Sequence, residues 1–215
     1  MDSDVAAKVK QFFSKYPARS YKKGQILIHA GDEPEHIFYL TSGKVKQYDV
    51  SYRGDEVILN VFKPPAFFPM SHAVNKLSND YFFEAEADVE LHLAPINDVV
   101  TFIRAEPEVL FDLLSRVYRG TDGLIRRMAH MMAGTARNRI IYELIIECRR
   151  FGVGAGSEYN VALTEAEIGS RAGLSRETVS REIHKLKAEG LLNISNQHIV
   201  VNKLSQLEET LGKDL

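Results

Sequence analysis

Residues 163–192 contain the side chains of this sequence whose types and spacing are best suited to chemistry. Arg176 and Ser180 are four positions apart, and so are Glu177 and Arg181, which places them on one broad face of a helix. An Arg guanidinium can donate two hydrogen bonds to O6 and N7 of guanine, and a Glu carboxylate can accept one from N4 of cytosine. These side chains could therefore recognise base edges in a DNA duplex.

The residues around this polar face predict two short helices joined by a tight turn. Thr164 followed by Glu167 has the spacing of a capping box, and Ser175 can cap the second helix. Gly173 between them can adopt the left-handed conformation of a turn without steric cost. The inward stripe of the second helix consists of Val179, Ile183 and Leu186. This pattern predicts a helix-turn-helix, and an ordinary solvated pair of amphipathic helices is the alternative.

The segment 173–181 closely resembles the recognition helix of the Crp/Fnr regulators, the family of the cyclic-AMP receptor protein. Residues 24–32, 37–40 and 43–45 resemble the opening of that family's sensory β-roll, and residues 106–140 line up with its long dimer helix. The resemblance implies a transcription regulator, not an enzyme, that binds a palindromic promoter site as a homodimer and contacts RNA polymerase. It also implies a half-site related to TGTGA.

The resemblance extends to individual DNA contacts on the second helix. The candidate DNA-binding residues are Ser175, Arg176, Glu177, Thr178, Ser180, Arg181 and Lys185. By resemblance, Arg176, Glu177 and Arg181 read bases, while Ser175 and Thr178 contact phosphate or support the others. Lys185 is a candidate for a phosphate contact, and a solvated surface lysine is an equal alternative.

The overall charge gives little indication of a nucleic-acid partner. The formal net charge is −2 at pH 7, so recognition of DNA would depend on where the cations lie. Several of them crowd into the helical hairpin, namely Arg171, Arg176, Arg181, Lys185 and Lys187. A weak bulk charge predicts modest non-specific affinity and therefore a strong dependence on base contacts.

Composition limits the remaining classes. The chain has 215 residues and one cysteine, Cys148, which excludes an intramolecular disulfide and an iron–sulfur cluster of four cysteines from one chain. Cys148 lies in an apolar helical run, so we expect a buried, unreactive thiol. The sequence has neither the apolar core of a signal peptide nor an apolar run near the roughly 20 residues of a membrane helix, so we expect a cytoplasmic protein.

The alternation of secondary-structure signals predicts an α+β fold in three parts. Short strands are expected at residues 25–29, 36–40, 44–49, 56–62, 81–85 and 89–93. Helices are expected at residues 5–14, 96–105, 107–134 and 136–150, followed by a glycine-rich loop at 151–160. After the helix pair, strands at 191–194 and 198–201 with a turn at 195–197 predict a wing. The parts are a sensory β-roll of the cyclic-nucleotide-binding type, a double-stranded β-helix by resemblance (1–106), a dimerisation helix (107–134) and a winged helix-turn-helix (135–215).

Along the long helix, residues that are apolar except for Thr121 recur at intervals of four and three positions in turn. The seam consists of Leu110, Leu114, Val117, Thr121, Leu124, Met128 and Met131. This heptad pattern is typical of a coiled coil, and a stripe packed inside the same chain is the alternative. Because the sensory region has no second long helix to pair with it, we expect a parallel homodimer.

The sensory region departs from the cyclic-nucleotide binders of the family. Alignment places Pro69-Met70 and Asn79-Asp80 where those proteins hold the phosphate with Gly-Glu and Arg-Ser, so an Asp would face the anion. We therefore expect an effector other than cyclic AMP, or a filled core with no effector. The residues that could line a pocket for an apolar ligand are Phe62, Phe67, Phe68, Met70, Ser71, His72, Tyr81, Phe83, Leu124 and Ile125.

Histidine leaves one other class open. His72 lies close to the position at which a haem-based carbon monoxide sensor of the family carries its axial ligand, and other histidines are scattered through the β-rich segments. A haem- or metal-binding sensor, or a cupin-type enzyme fused to a winged helix, is therefore the alternative function. No His-x-His pair with a following Glu is present, so no metal ligands are assigned and no cofactor is expected.

Overall fold

The structure is a computed structural model that describes residues 3–52, 54–155, 158–195 and 198–212. The chain divides into two compact units, residues 1–120 and 121–215, each of which is described by itself. This division falls inside the long helix, whereas the sequence placed its boundaries at residues 106 and 134.

The first unit is built from short strands with helices before, between and after them. The helices are α1 (Ser3–Phe13), α2 (Met70–Asn75), α3 (Ile96–Ala105) and the beginning of α4 (Pro107–Ala133). The strands are β1 (Ala18–Tyr21), β2 (Ile26–Ile28), β3 (His36–Ser42), β4 (Val45–Val50), β5 (Glu56–Phe62), β6 (Ala66–Phe68), β7 (Phe82–Ala85) and β8 (Val89–Pro95). The expected bounds of α3 and β5 are confirmed, whereas β1, β6 and α2 were not predicted.

Two four-stranded antiparallel sheets form the β-roll. One has the order β1-β8-β3-β6 and the other has the order β2-β7-β4-β5. Phe38 of β3 pairs with Phe68 of β6, and Gln47 of β4 pairs with Phe83 of β7. The predicted α+β fold with an N-terminal β-roll is thus confirmed.

Stacked phenylalanine rings fill the core of the β-roll. The Phe68 ring centroid lies 5.7 Å from that of Phe38, 5.2 Å from that of Phe83 and 4.9 Å from that of Phe62. Such stacked pairs contribute beyond the apolar area that they bury. A second cluster joins α1, α3 and the first turn of α4, with Phe13 stacked on Tyr39 at 4.6 Å. The unit therefore holds two apolar cores rather than one.

The second unit contains the end of α4, further helices and one small sheet. The helices are α5 (Ala136–Phe151), α6 (Glu165–Ala172), α7 (Arg176–Ala188) and α8 (Leu204–Gly212). The strands are β9 (Val153–Ala155), β10 (Glu158–Val161), β11 (Leu192–Ser195) and β12 (His198–Val201). They form an antiparallel sheet of order β11-β12-β10-β9. The core under this sheet includes Ile140, Leu144, Ile183 and Leu186.

One expectation for this unit needs revision. The glycine-rich loop at 151–160 is wrong, because Gly154 of β9 pairs with Tyr159 of β10. Glycine is tolerated there since β9 is an edge strand of its sheet. The expected wing strands are confirmed as β11 and β12, while Asn196 and Gln197 of the predicted turn lie outside the described residues. Helix α8 was not predicted.

Within the described residues, no helix is long and apolar enough to cross a membrane.

Helix α4 is rich in outward-facing apolar side chains. The aliphatic and methionine residues of the expected seam, from Leu110 to Met131, are between 37% and 58% exposed. By contrast, Val109 at the start of the helix is fully buried. These side chains are therefore substantially open to solvent in the single chain.

Candidate nucleic-acid interface

The helix-turn-helix has the local geometry that its sequence dictates. Thr164 caps α6, since its backbone N–H donates to the Glu167 carboxylate at 2.7 Å and its hydroxyl accepts from the Glu167 backbone N–H at 3.2 Å. Gly173 follows α6 in the left-handed conformation, with φ of 63°. Gly169, which sequence reasoning missed, allows a close approach: a Cβ there would lie 2.6 Å from the carbonyl oxygen of Leu174. The two helices are thus held in a short, tight turn.

Helix α7 places its apolar stripe inward and its polar side chains outward. Val179, Ile183 and Leu186 are fully buried. The exposed polar residues of the helix and its cap are Ser175, Arg176, Glu177, Arg181, His184, Lys185 and Lys187, and Thr178 and Ser180 are half-buried. The predicted DNA-binding residues therefore share one accessible surface.

Arg176 is oriented so that its guanidinium remains available to a ligand. Its Nε lies 3.8 Å from the Glu165 carboxylate, and its side chain is 72% exposed. An exposed ion pair at that distance contributes little free energy, so the guanidinium can leave it at small cost.

Glu177 at the first turn of α7 is held in its charged form. Hydrogen bonding to its own backbone N–H, and then to the Ser175 hydroxyl, keeps the pKa of Glu177 below its usual value. A charged carboxylate accepts hydrogen bonds and donates none, which suits the amino group of cytosine. The Ser175 hydroxyl also accepts from the Thr178 backbone N–H at 3.3 Å, so Ser175 caps the helix as expected.

Two cations of the hairpin have partners that the sequence did not reveal. Lys185 donates to the Glu182 carboxylate at 2.8 Å, although its own side chain remains more than half exposed. Arg171, one of the cations expected to crowd into the hairpin, is buried and donates to the buried Glu147 of α5 at 2.8 Å. A buried arginine needs a partner of opposite charge, and here that partner lies on another helix. The spacing of residues within one helix cannot identify it.

Within the first unit, the phenylalanines proposed for an effector pocket divide between two cores. Phe62, Phe68 and Phe83 belong to the core of the β-roll, whereas Phe67 and Met70 pack in the second cluster with α1 and α3. The remaining members are Ser71, Tyr81, Leu124 and Ile125, which are exposed, and His72, which is half-buried.

Asn79, which the sequence is expected to align with an arginine of the family's cyclic-nucleotide binders, has a structural role in this chain. Its side-chain amide donates to the carbonyl oxygens of His29 at 2.9 Å and Tyr81 at 2.7 Å. Both amide protons are therefore used inside the protein. Asp80 beside it is exposed.

His72 and Cys148 show no arrangement of the kind that binds a metal. His72 Nδ1 lies 2.5 Å from the carbonyl oxygen of Leu77. Cys148 is buried as expected, and burial raises the pKa of its thiol to about 12. Across the part of the chain that the structure describes, no group of three or more His, Cys, Asp or Glu side chains is placed to hold a metal ion.

Two family models match most of the chain. The cyclic nucleotide-binding domain matches residues 18–106, and the Crp-like helix-turn-helix domain matches residues 126–210. The chain belongs to the Crp/Fnr family. It is thus a DNA-binding transcription regulator of the Crp/Fnr type, and the cupin-type alternative is not favoured.

Curated relatives of this Crp/Fnr regulator span most of its length. It is 28% identical to a global nitrogen regulator of Nostoc sp. over 86% of this chain and 84% of that protein. It is 27% identical to a cyclic AMP receptor protein of Thermus thermophilus over 91% of this chain and 88% of that protein. An anaerobic regulatory protein of Aggregatibacter actinomycetemcomitans is 25% identical over 89% and 75% of the two chains.

Solved structures support the fold of this Crp/Fnr regulator. A transcriptional regulator of the same family from Thermus thermophilus has a TM-score of 0.77 at 24% identity, over 93% of this chain and all of that one. A mutant of CooA from Carboxydothermus hydrogenoformans has a TM-score of 0.79 at 20% identity, over 94% and 90% of the two chains. At these identities the likeness shows the fold alone.

Proposed function

We propose that this regulator acts as a homodimer, formed along α4, that reads an inverted repeat in promoter DNA with the exposed face of α7. The observation that carries the proposal is the stripe on α4. Apart from Thr121 its side chains are apolar, and they recur at heptad spacing and are open to solvent in the single chain. A monomeric protein rarely exposes so long a contiguous apolar surface. The same helix of a second copy of the chain would bury it.

A third row of apolar residues widens the stripe on α4. Phe111, Tyr118, Ile125 and Met132 recur every seven residues beside the seam, and all four are exposed. In a two-stranded coil such a row flanks the central seam and adds to the buried area. With α4 as the dimerisation helix (107–134), the chain is proposed to comprise a sensory region (1–106) before it and a DNA-binding region (135–215) after it.

Two-fold symmetry of such a dimer determines the form of the DNA site. Two copies of α7 would enter neighbouring major grooves about 34 Å apart, which requires an inverted repeat. Arg176, Glu177 and Arg181 are proposed as the base readers, with Ser175, Thr178, Ser180 and Lys185 beside them on the DNA-facing surface. Regulation at a promoter also implies contact with RNA polymerase in the cytoplasm, which rests on the family alone.

The effector is proposed to be something other than cyclic AMP. Asn79 offers no charge to a phosphate, and Asp80 beside it would repel one. The rings of Phe38, Phe62, Phe68 and Phe83 occupy the interior between the two sheets. One relative is named a cyclic AMP receptor protein, so cyclic AMP is the first ligand to test.

The dimer and its DNA site can be tested together. Sedimentation measures the mass of the purified chain, and selection from random duplexes identifies the preferred sequence. Arg176→Ala should cost about 1–3 kcal/mol of binding and relax the preference at one guanine. Lys187→Ala is the matched control, since it removes an exposed cation from the same helix that is not among the proposed base readers and should leave the sequence preference unchanged. A monomer, or an unchanged preference in Arg176→Ala, would contradict the proposal.

The effector proposal is tested by thermal shift with cyclic AMP, cyclic GMP and a panel of aromatic and aliphatic acids. A ligand that binds the folded state raises the melting temperature by mass action, by an amount that grows with its concentration. We expect no shift with either cyclic nucleotide. A saturable shift with cyclic AMP would contradict this part of the proposal and leave the dimer untouched.

A further inference from the structure

Four charged side chains meet in the interior of the second unit. Glu143 and Glu147 of α5 and Arg171 of α6 are all less than a tenth exposed, and Arg127 of α4 reaches them from the end of the long helix. Charges this deeply placed are stable only when they are paired and hydrogen-bonded.

Arg127 joins three helices through one guanidinium. Its Nε lies 2.7 Å from the Glu143 carboxylate, and its Nη2 donates to the backbone carbonyl of Arg171 at 2.6 Å. The side chain of Arg171 in turn donates to Glu147. A planar guanidinium with donors in fixed directions constrains orientation more strictly than an apolar contact, which can slide.

Further contacts bind the same stretch of α4 to α5 and to the turn before α7. The Tyr142 hydroxyl donates to the carbonyl of Gly123 at 3.1 Å, and Arg139 Nη2 donates to the carbonyl of Met131 at 2.6 Å. The methyl group of Met131 lies 3.3 Å from where a Cβ on Gly173 would be, at the turn before α7. The end of α4 is therefore fixed to α5, α6 and the turn by polar and apolar contacts together.

The buried charges favour a single orientation of the end of α4 against α5. Burial raises the pKa of Glu143, while the guanidiniums of Arg127 and Arg171 lower it. Rotation of α4 away from α5 would separate Arg127 from Glu143 and leave the carboxylate in the interior without this partner. Such half-paired arrangements are costly, so intermediate angles are disfavoured.

We propose that Arg127 is a positioning residue that fixes the orientation of α7 relative to the end of α4. This inference rests on the proposed function, in which α4 lies along the two-fold axis of the dimer. The angle between α4 and α7 then sets the distance and rotation between the two recognition helices. Arg127 thereby determines which spacing of half-sites the regulator accepts, without touching DNA itself.

The test measures binding of the full-length chain to palindromes whose central spacer differs by single base pairs. Each added base pair moves one half-site by about 3.4 Å and turns it by about 35°. Fluorescence anisotropy is recorded for the wild type, Arg127→Met, Arg127→Lys and the exposed control Arg126→Met. A duplex with a single half-site reports on the recognition face alone.

We expect Arg127→Met to reduce the preference for the best spacing by about tenfold while changing single-half-site binding by less than about twofold. Arg126→Met should keep the wild-type profile. Arg127→Lys should be intermediate, because an ammonium can pair with Glu143 but cannot form the same planar fork to Arg171. Tyr142→Phe keeps every charge paired and should broaden the profile less, which provides a second test if Arg127→Met folds poorly.

The two proposals fail in different ways. A wild-type profile retained by both Arg127→Met and Tyr142→Phe would overturn the positioning role and leave the dimer intact. An equal loss on every duplex, single half-sites included, would also overturn it, because this indicates general destabilisation. A wild-type chain that is indifferent to spacing would overturn the proposed dimer, and the positioning role with it.

Discussion

Replacing Arg171 by methionine tests how far the DNA-binding unit depends on its buried charges. The Arg171 guanidinium lies 2.8 Å from the Glu147 carboxylate, and Glu147 is 1% exposed. Arg171→Met leaves that carboxylate in the interior without this partner. Loss of one member of a buried pair costs about 3–5 kcal/mol, a large share of the roughly 5–15 kcal/mol that stabilises a domain.

The assay is thermal unfolding followed by far-UV circular dichroism. For a unit of this size the loss corresponds to a decrease in Tm of about 15–25 °C. Arg149→Met is the matched control, because Arg149 pairs with Glu208 at 2.8 Å on the surface, where the cost stays below about 1 kcal/mol. The double variant Arg171→Met/Glu147→Leu should recover most of the loss, since two apolar side chains can replace a buried pair. A decrease for Arg171→Met no larger than for Arg149→Met would refute the reasoning.

Three further outcomes follow from the geometry. Gly43→Ala should lower the Tm strongly, because Gly43 has φ of +83° and an added Cβ would lie 2.2 Å from the carbonyl oxygen of Asp88. Gly54→Ala is the control and should lower the Tm less, because Gly54 has a similar φ but an added Cβ would meet no atom within 4 Å. Phe68→Ala should cost about 3–5 kcal/mol in urea unfolding, because its ring is the centre of the phenylalanine stack. Cys148 should react with a thiol reagent at pH 8 only after denaturation, since burial raises its pKa to about 12.

Features governed by neighbours in sequence could be predicted, and the helix-turn-helix is the clearest case. The capping box of Thr164, the left-handed Gly173 and the Ser175 cap each depend on residues within a few positions. The spacing of polar and apolar residues on α7 likewise follows from the helical period. These local signals placed the candidate DNA-binding residues on one exposed surface.

Features governed by distant contacts were missed or misplaced. Arg171 looks like a surface cation in sequence because its partner Glu147 lies 24 positions earlier, on another helix. The pocket residues Phe67 and Phe68 are adjacent in sequence, yet strand alternation sends their side chains to different cores. Short strands such as β1 and β6 gain most of their stability from the sheet around them, so local pattern gives them little signal.

The charges on the exposed face of α7 explain why a fixed orientation of α7 relative to α4 would matter to this regulator. Its net charge of −2 gives weak attraction to a phosphate backbone, so affinity must come from base contacts. Glu177 follows Arg176 on the proposed DNA-facing surface, and its carboxylate would repel phosphate but would accept a hydrogen bond from a correctly placed base. A small tilt of α7 would exchange that hydrogen bond for repulsion. The buried pairing of Arg127 with Glu143 would oppose such a tilt, and so would increase discrimination between sites more than it increases affinity for any one of them.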